Sequence, residues 1–126
     1  MVTALKGRRI LLIDDDDDET ILVSFQHILR DEGYLVDTVS TGRQALEKAK
    51  EMEYQMVISD IKLPDVQGIE VAGKIREQYK DTRLIIITGF PDLADSLETI
   101  DLGIDEILIK PIKPDELLRA VKESIQ

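Results

Sequence analysis

The sequence RILLI at Arg9–Ile13 is followed directly by six acidic residues, Asp14 to Glu19. An almost wholly apolar run of this length lacks the alternation of a half-exposed strand, so it predicts a short strand buried on both faces. Four further runs follow along the chain, and only the first of them, at residues 34–39, alternates with polar residues as an edge strand does. These later runs lie at residues 34–39, 55–59, 84–87 and 106–109.

Segments with helical periodicity separate these runs. Apolar residues recur at spacings of three and four after each predicted strand, which predicts five helices. Gly33 and Gly103 stand where the first and fourth helices would end. Thr41 is placed to cap the second helix, and Pro114 to open the fifth. The fourth helix is marked by Leu93, Leu97 and Ile100.

The alternation of strands and helices predicts an α/β fold with a parallel sheet between two layers of helices. Right-handed crossovers leave few topologies, and five strands match the doubly wound, flavodoxin-like order 2-1-3-4-5. We expect one (βα)5 domain over residues 1–126, with its core at about residues 8–125. Its ends suit a stand-alone domain and a module of a longer protein equally well, and of the two we favour the module.

Composition excludes several classes of protein. The chain has 16 basic and 26 acidic side chains and a net charge of −10, so it lacks the positive surface that nucleic acids require. It has no cysteine and one histidine, which excludes disulfides and cysteine- or histidine-clustered zinc sites and fits a reducing, cytoplasmic setting. The apolar run near the N-terminus is too short to span a membrane, and we expect no membrane association.

Polar side chains follow four of the predicted strands, at the sheet edge where ligands bind in such folds. Two carboxylates about 4 Å apart repel by roughly 4 kcal/mol at an effective dielectric near 20, so three need added positive charge to stay ionised. Lys110, after the fifth strand, supplies one positive charge, which is not enough for three carboxylates. A bound Mg²⁺ would supply the rest, since this ion keeps several waters where protein ligands are few. The residues are Asp14 and Asp15 after the first strand, Asp60 after the third, Thr88 after the fourth and Lys110 after the fifth.

A magnesium ion with an ammonium and a hydroxyl beside it suits phosphoryl groups. The cations neutralise phosphoryl oxygens while the hydroxyl donates a hydrogen bond. Carboxylates form covalent aspartyl phosphates, so Asp60 is the candidate nucleophile.

With their neighbours, these residues resemble the receiver domain of two-component response regulators. Each piece alone is common, but the ordered set at successive strand ends is specific, and the resemblance covers about residues 8–125. The pieces are Asp14-Asp15, Asp60 ahead of Lys62-Leu63-Pro64-Asp65 and Gly68, Thr88-Gly89, and Lys110-Pro111.

The resemblance implies that Asp60 accepts a phosphoryl group from the phosphohistidine of a sensor histidine kinase or a histidine phosphotransfer domain. It implies a Mg²⁺ site in which Asp15 is a direct ligand and Asp14 acts through water. Asp60 itself and the backbone carbonyl of Lys62 would complete the protein part of that site.

The resemblance also implies that Thr88 moves toward the phosphoryl oxygen, that Lys110 pairs with it, and that the Lys110–Pro111 bond is cis. The family pairs the threonine with an aromatic switch residue three positions before the lysine, where this chain has Ile107. Isoleucine has neither ring nor hydroxyl. We therefore expect the phosphoryl chemistry to survive and transmission through the fifth strand to differ.

As a member of this family, the chain would be a signalling switch that catalyses its own phosphotransfer and dephosphorylation, rather than an enzyme. The face formed by the fourth helix, fifth strand and fifth helix would bind an output domain or partner protein. The exposed residues of that face would include Asp92, Asp95, Glu98, Asp101 and Arg119.

Two alternatives stay open. A degenerate receiver that binds proteins without phosphorylation would be expected to lose Asp60, Asp15 or Lys110, all of which are present, although Ile107 keeps the idea alive. A Mg²⁺-dependent phosphohydrolase with an aspartyl-phosphate intermediate would need a substrate pocket, usually built by an insertion. No predicted loop exceeds about ten residues, which counts against it.

Overall fold

The computed structural model describes residues 9–14, 19–92 and 102–125. The predicted fourth helix, marked by Leu93, Leu97 and Ile100, lies outside these residues, so the helix predicted as the fifth is labelled α4 below. The elements are β1 (Arg9–Ile13), α1 (Glu19–Asp31), β2 (Leu35–Val39), α2 (Gly42–Glu51), β3 (Met56–Asp60), α3 (Gly68–Gln78), β4 (Arg83–Thr88), β5 (Glu106–Ile109) and α4 (Pro114–Ile125).

The five strands form one parallel sheet in the order β2-β1-β3-β4-β5, which confirms the predicted topology. The three central strands are almost entirely buried, as their apolar runs predict. The edge strand β2 is only partly buried. The other edge strand, β5, is more exposed than predicted, and its Ile109 faces solvent because an edge strand has a neighbour on one side only.

The carboxyl ends of two strands lie one residue later than predicted. Asp60 and Thr88, expected just after their strands, are the last residues of β3 and β4. The pairing continues through them, because Asp60 lies beside Ile87 and Thr88 beside Ile109. Both residues are thereby fixed by the sheet at its carboxyl edge.

Helices cover both faces of the sheet. Successive side chains of a strand point to opposite faces, so each central strand contributes to two apolar clusters. One cluster is closed by α1 and α4, and the other by α2 and α3. The first includes Ile10, Leu12, Ile58, Phe25, Leu29, Leu117 and Val121, and the second includes Leu11, Ile13, Val57, Ala45, Val71 and Ile75.

The predicted helix caps are confirmed where the structure describes them. Gly33 follows the end of α1 with a φ of 95°. Its amide donates to the Arg30 carbonyl and the Tyr34 amide donates to the Leu29 carbonyl, which are the two hydrogen bonds of a glycine C-cap. Thr41 Oγ1 accepts a hydrogen bond from the Gln44 amide at 3.1 Å at the start of α2. Over the described parts of the chain, no helix is both long enough and apolar enough to cross a membrane.

Candidate functional site

The carboxyl edge of the sheet brings Asp14, Asp60, Thr88 and Lys110 together. Asp14 directly follows β1 and is buried, and its amide donates to the Val39 carbonyl at 3.1 Å. Asp15, predicted as the direct metal ligand, lies outside the described residues, as do Asp16 to Asp18.

Asp60 and Lys110 form an ion pair at the centre of this edge. The Lys110 Nζ lies 2.8 Å from Asp60 Oδ2, and the two side chains are 32% and 13% exposed. The Lys110 amide donates to the Thr88 carbonyl at 2.8 Å, which extends the strand pairing by one residue and aligns the lysine with the site. The Lys110–Pro111 bond is cis, as the resemblance implied.

Thr88 is fully buried at the end of β4. Its Oγ1 accepts a hydrogen bond from the Phe90 amide at 3.0 Å. Ile107, at the position of the expected aromatic switch residue, is half-buried and packs against the apolar cluster under α2 and α3. The side chain that replaces the aromatic is therefore part of the packing.

The loop after Asp60, residues 61–67, folds back on itself. The Gly68 amide donates to the Ile61 carbonyl at 2.6 Å, and Lys62 forms an antiparallel bridge with Gln67. A Cβ at Gly68 would overlap the carbonyl oxygen of Asp60, so this close approach requires glycine. The Lys62 amide faces Asp60 Oδ1 at 3.3 Å, which places the Lys62 backbone beside the carboxylate.

Two contacts of this loop were not foreseen from the sequence. Asp65 accepts hydrogen bonds from the backbone amides of Gly42 and Arg43, both at 2.9 Å, and these bonds lower the pKa of its carboxyl. The Lys62 ammonium lies 4.2 Å from the centroid of the Phe90 ring. Both contacts join residues far apart in sequence, and no local motif announces them.

A cavity of about 510 Å³ opens beside the ion pair. Asp14 and Lys110 line it at the site, and most of its other walls are apolar. These walls come from α1, the end of β4 and the loop that leads into α4. The apolar lining residues include Phe25, Ile28, Ile87, Pro111 and Ile112.

The donor set fits a hard divalent cation. Asp14 and Asp60 offer carboxylate oxygens at one edge, and one lysine leaves these three groups with a net charge of −1. Within residues 9–14, 19–92 and 102–125, no three acidic, histidine or cysteine side chains form a metal-binding group. The two described carboxylates suit Mg²⁺, which takes few carboxylates and retains several waters.

Comparison with known proteins agrees with this geometry. The family described as "Response regulator receiver domain" matches residues 10–122. The response regulator ArlR of Staphylococcus aureus (strain Mu50 / ATCC 700699) is 38% identical over 94 residues, which cover 75% of this chain and 42% of that protein. The chain thus spans less than half the length of the curated relatives that it matches.

Solved structures of response regulators match the fold over almost the whole chain. A CheY-like receiver domain protein from Methanospirillum hungatei JF-1 superposes with a TM-score of 0.85 at 35% identity, covering 94% of this chain and 93% of that one. The response regulator TrrA from Thermotoga maritima, solved in complex with Mg(2+)-BeF, gives a TM-score of 0.80 at 36% identity, covering 92% and 97%. Since the family match extends from β1 into α4, the chain belongs to the response regulator receiver domains of two-component signalling.

Proposed function

We propose that Asp60 is the phosphoacceptor of this receiver domain. The observation that carries the proposal is the 2.8 Å contact between the Lys110 ammonium and Asp60 Oδ2 at the carboxyl edge of the sheet. In this arrangement a carboxylate oxygen forms a bond to phosphorus as the bond from phosphorus to the donor's imidazole nitrogen breaks. The electron pair of that bond stays on the nitrogen.

The residues around Asp60 have separate tasks in this proposal. Lys110 balances negative charge on the phosphoryl oxygens. Its position is fixed by the hydrogen bond that its backbone amide donates to the Thr88 carbonyl. The Thr88 hydroxyl, which donates to the Phe90 carbonyl at 3.5 Å, donates instead to a phosphoryl oxygen. Asp14, Asp15, Asp60 and the Lys62 carbonyl would hold Mg²⁺, which supplies further positive charge to the phosphoryl oxygens when bound.

We propose that the phosphodonor is a protein, either a sensor histidine kinase or a histidine phosphotransfer domain, acting in the cytoplasm. Membership of the response regulator receiver domains supports this, because two-component signalling pairs such domains with a phosphohistidine donor. The chain would be a switch that catalyses its own phosphotransfer and dephosphorylation rather than an enzyme with a separate substrate.

For the output, we propose the face that carries β5 and the helices beside it. Ile109 is exposed on β5, and Arg119 of α4 is half-exposed and paired with Glu106 and Glu123. Asp92 is exposed as well. Asp95, Glu98 and Asp101, expected on the same face, lie outside the described residues.

The test is the intact mass of the protein after incubation with acetyl phosphate, with and without Mg²⁺. We expect one added phosphoryl group that requires Mg²⁺ and is absent from the Asp60→Asn variant. This variant keeps the shape of the side chain and should remain folded by circular dichroism. An adduct of equal yield on Asp60→Asn would contradict the assignment of Asp60.

The alternative of a phosphorylation-independent binding module rests on Ile107, the one switch position that departs from the family pattern. It predicts no adduct on the wild-type protein even when calorimetry shows that Mg²⁺ binds. A phosphohydrolase would instead consume the donor continuously, far beyond one equivalent of protein.

A further inference from the structure

Asp65 links the loop after Asp60 to the start of helix α2 by hydrogen bonds. Its Oδ1 accepts from the Gly42 amide and its Oδ2 from the Arg43 amide, each at 2.9 Å. These amides are the first two of α2, whose first four amides have no partner within the helix. A carboxylate here also complements the positive end of the helix dipole.

The same loop carries the backbone that approaches the phosphoacceptor. The Lys62 amide lies 3.3 Å from Asp60 Oδ1, and the Leu63 amide donates to the Val66 carbonyl at 3.3 Å. The Lys62–Gln67 bridge and the hydrogen bond from Gly68 to Ile61 close the loop into one unit. Asp65 and Lys62 therefore belong to one hydrogen-bonded loop, so the position of Asp65 affects that of the Lys62 backbone.

Packing between the loop and α2 leaves little freedom once the two are in contact. Gly42 is buried, and a Cβ there would overlap the Val66 side chain and crowd that of Val71. The backbone of α2 at Gly42 thus packs against the Val66 side chain of the loop, and Asp65 accepts the two hydrogen bonds that cross this contact.

We propose that Asp65 is a positioning residue for phosphoryl transfer to Asp60. By fixing the loop against α2, it holds the Lys62 backbone at the distance from the Asp60 carboxylate that Mg²⁺ binding and transfer require. This inference rests on the function proposed above for Asp60 and Lys62.

A simple helix cap would give the same contacts without any effect on the site, and Thr41 provides the matched control. Thr41 caps the same helix through the Gln44 amide but does not belong to the loop after Asp60. Replacing it with alanine removes a cap from α2 and leaves the Asp65 contacts in place. The two substitutions should lower the unfolding temperature alike, whereas only one should disturb the site.

The experiment compares Asp65→Ala, Asp65→Asn and Thr41→Ala with the wild-type protein, well below their unfolding temperatures. Two quantities are measured, namely Mg²⁺ affinity by isothermal titration calorimetry and the rate of phosphorylation by acetyl phosphate. For Asp65→Ala we expect each to fall roughly threefold to tenfold. This is at or below the lower limit of the loss, about 10–100-fold, that follows removal of a residue supporting a metal ligand. Thr41→Ala should match the wild type in both quantities.

Asp65→Asn keeps one acceptor oxygen and turns an N–H group toward the other amide, so it should give an intermediate loss. If Asp65→Ala does not fold, Asp65→Asn decides alone. Wild-type Mg²⁺ affinity and rate in the folded Asp65 variants, or equal losses in Thr41→Ala, would overturn the proposal. A wild-type protein that binds Mg²⁺ but forms no adduct would overturn the function proposed for Asp60, and the Mg²⁺ titrations would still decide the role of Asp65.

Discussion

The ammonium of Lys110 lies 2.8 Å from Oδ2 of Asp60, joining two residues 50 positions apart in the chain. Asp60 is held by the pairing of β3 with β4, and Lys110 by the bond from its amide to the end of β4. The pair is therefore built into the frame of the sheet. It places a cation at a carboxylate that stands at the ligand-binding edge of the fold.

Replacing Lys110 with alanine should slow phosphorylation of Asp60 by roughly 100-fold, because it removes a charge aimed at the phosphoryl oxygens. The fold should lose less than about 1 kcal/mol, since a partly exposed ion pair contributes little to stability. Intact-mass kinetics and urea unfolding measure the two effects. An unchanged rate would remove Lys110 from the site.

The contact between Lys62 and Phe90 should prolong the life of the phosphorylated state. It joins the loops that follow β3 and β4, and an exposed cation–π contact is worth about 0.5–1 kcal/mol. Phe90→Ala should therefore speed loss of the phosphoryl group roughly twofold to fivefold, and Lys62→Met should do the same. A wild-type lifetime in both variants would show that the contact has no part in it.

Gly68→Ala should destabilise the domain by about 1–3 kcal/mol, because the added Cβ meets backbone atoms of Asp60 and Ile61 that cannot turn aside. Gly73, in the same helix, is the matched control. Among the residues that the structure describes, a Cβ there meets only Leu102 within 4 Å, at 3.9 Å, so Gly73→Ala should raise stability by roughly 0.5–1 kcal/mol. Urea unfolding should move in opposite directions, and equal shifts would contradict the close approach at Gly68.

Stability should fall at alkaline pH through Tyr54. Burial, and then its hydrogen bond to Asp37 at 2.6 Å, raise the pKa of this phenol above its usual 10.0. The contribution of the neutral phenol is complete below pH 10.0 and is lost as the pH rises through the higher folded value, because the unfolded chain ionises first. Tyr54→Phe should cost about 1–3 kcal/mol at neutral pH and remove this alkaline dependence. Unfolding followed by tyrosinate absorbance tests both, and an unaltered pH profile in the variant would exclude Tyr54.

Much of the fold was predictable because its signals are local. The apolar runs of β1 and β5 have the same bounds in sequence and structure, and Gly33 and Thr41 occupy the caps that their chemistry favours. The edge position of β2 followed from its alternation. Each of these strands and caps is formed by the same residues whose pattern in the sequence predicts it.

Side-chain contacts between residues far apart in the chain were not predictable in this way. Asp65 accepts from the Gly42 amide at a separation of 23 residues, and the Tyr54 hydroxyl donates to Asp37 at a separation of 17. Arg76 of α3 donates to the carbonyls of Leu102 and Gly103 before β5. An exposed or half-buried polar residue has many possible partners, and only the packed helices and strands select one.

The position of the phosphoryl group is the most direct test of the central claim. The protein is incubated with acetyl phosphate and Mg²⁺ and then treated with borohydride, which reduces an aspartyl phosphate to homoserine, and the modified peptide is sequenced by mass spectrometry. We predict homoserine at position 60 and at no other aspartate. Homoserine at another aspartate, or none in a protein shown to bind Mg²⁺, would contradict the assignment of Asp60 as the phosphoacceptor.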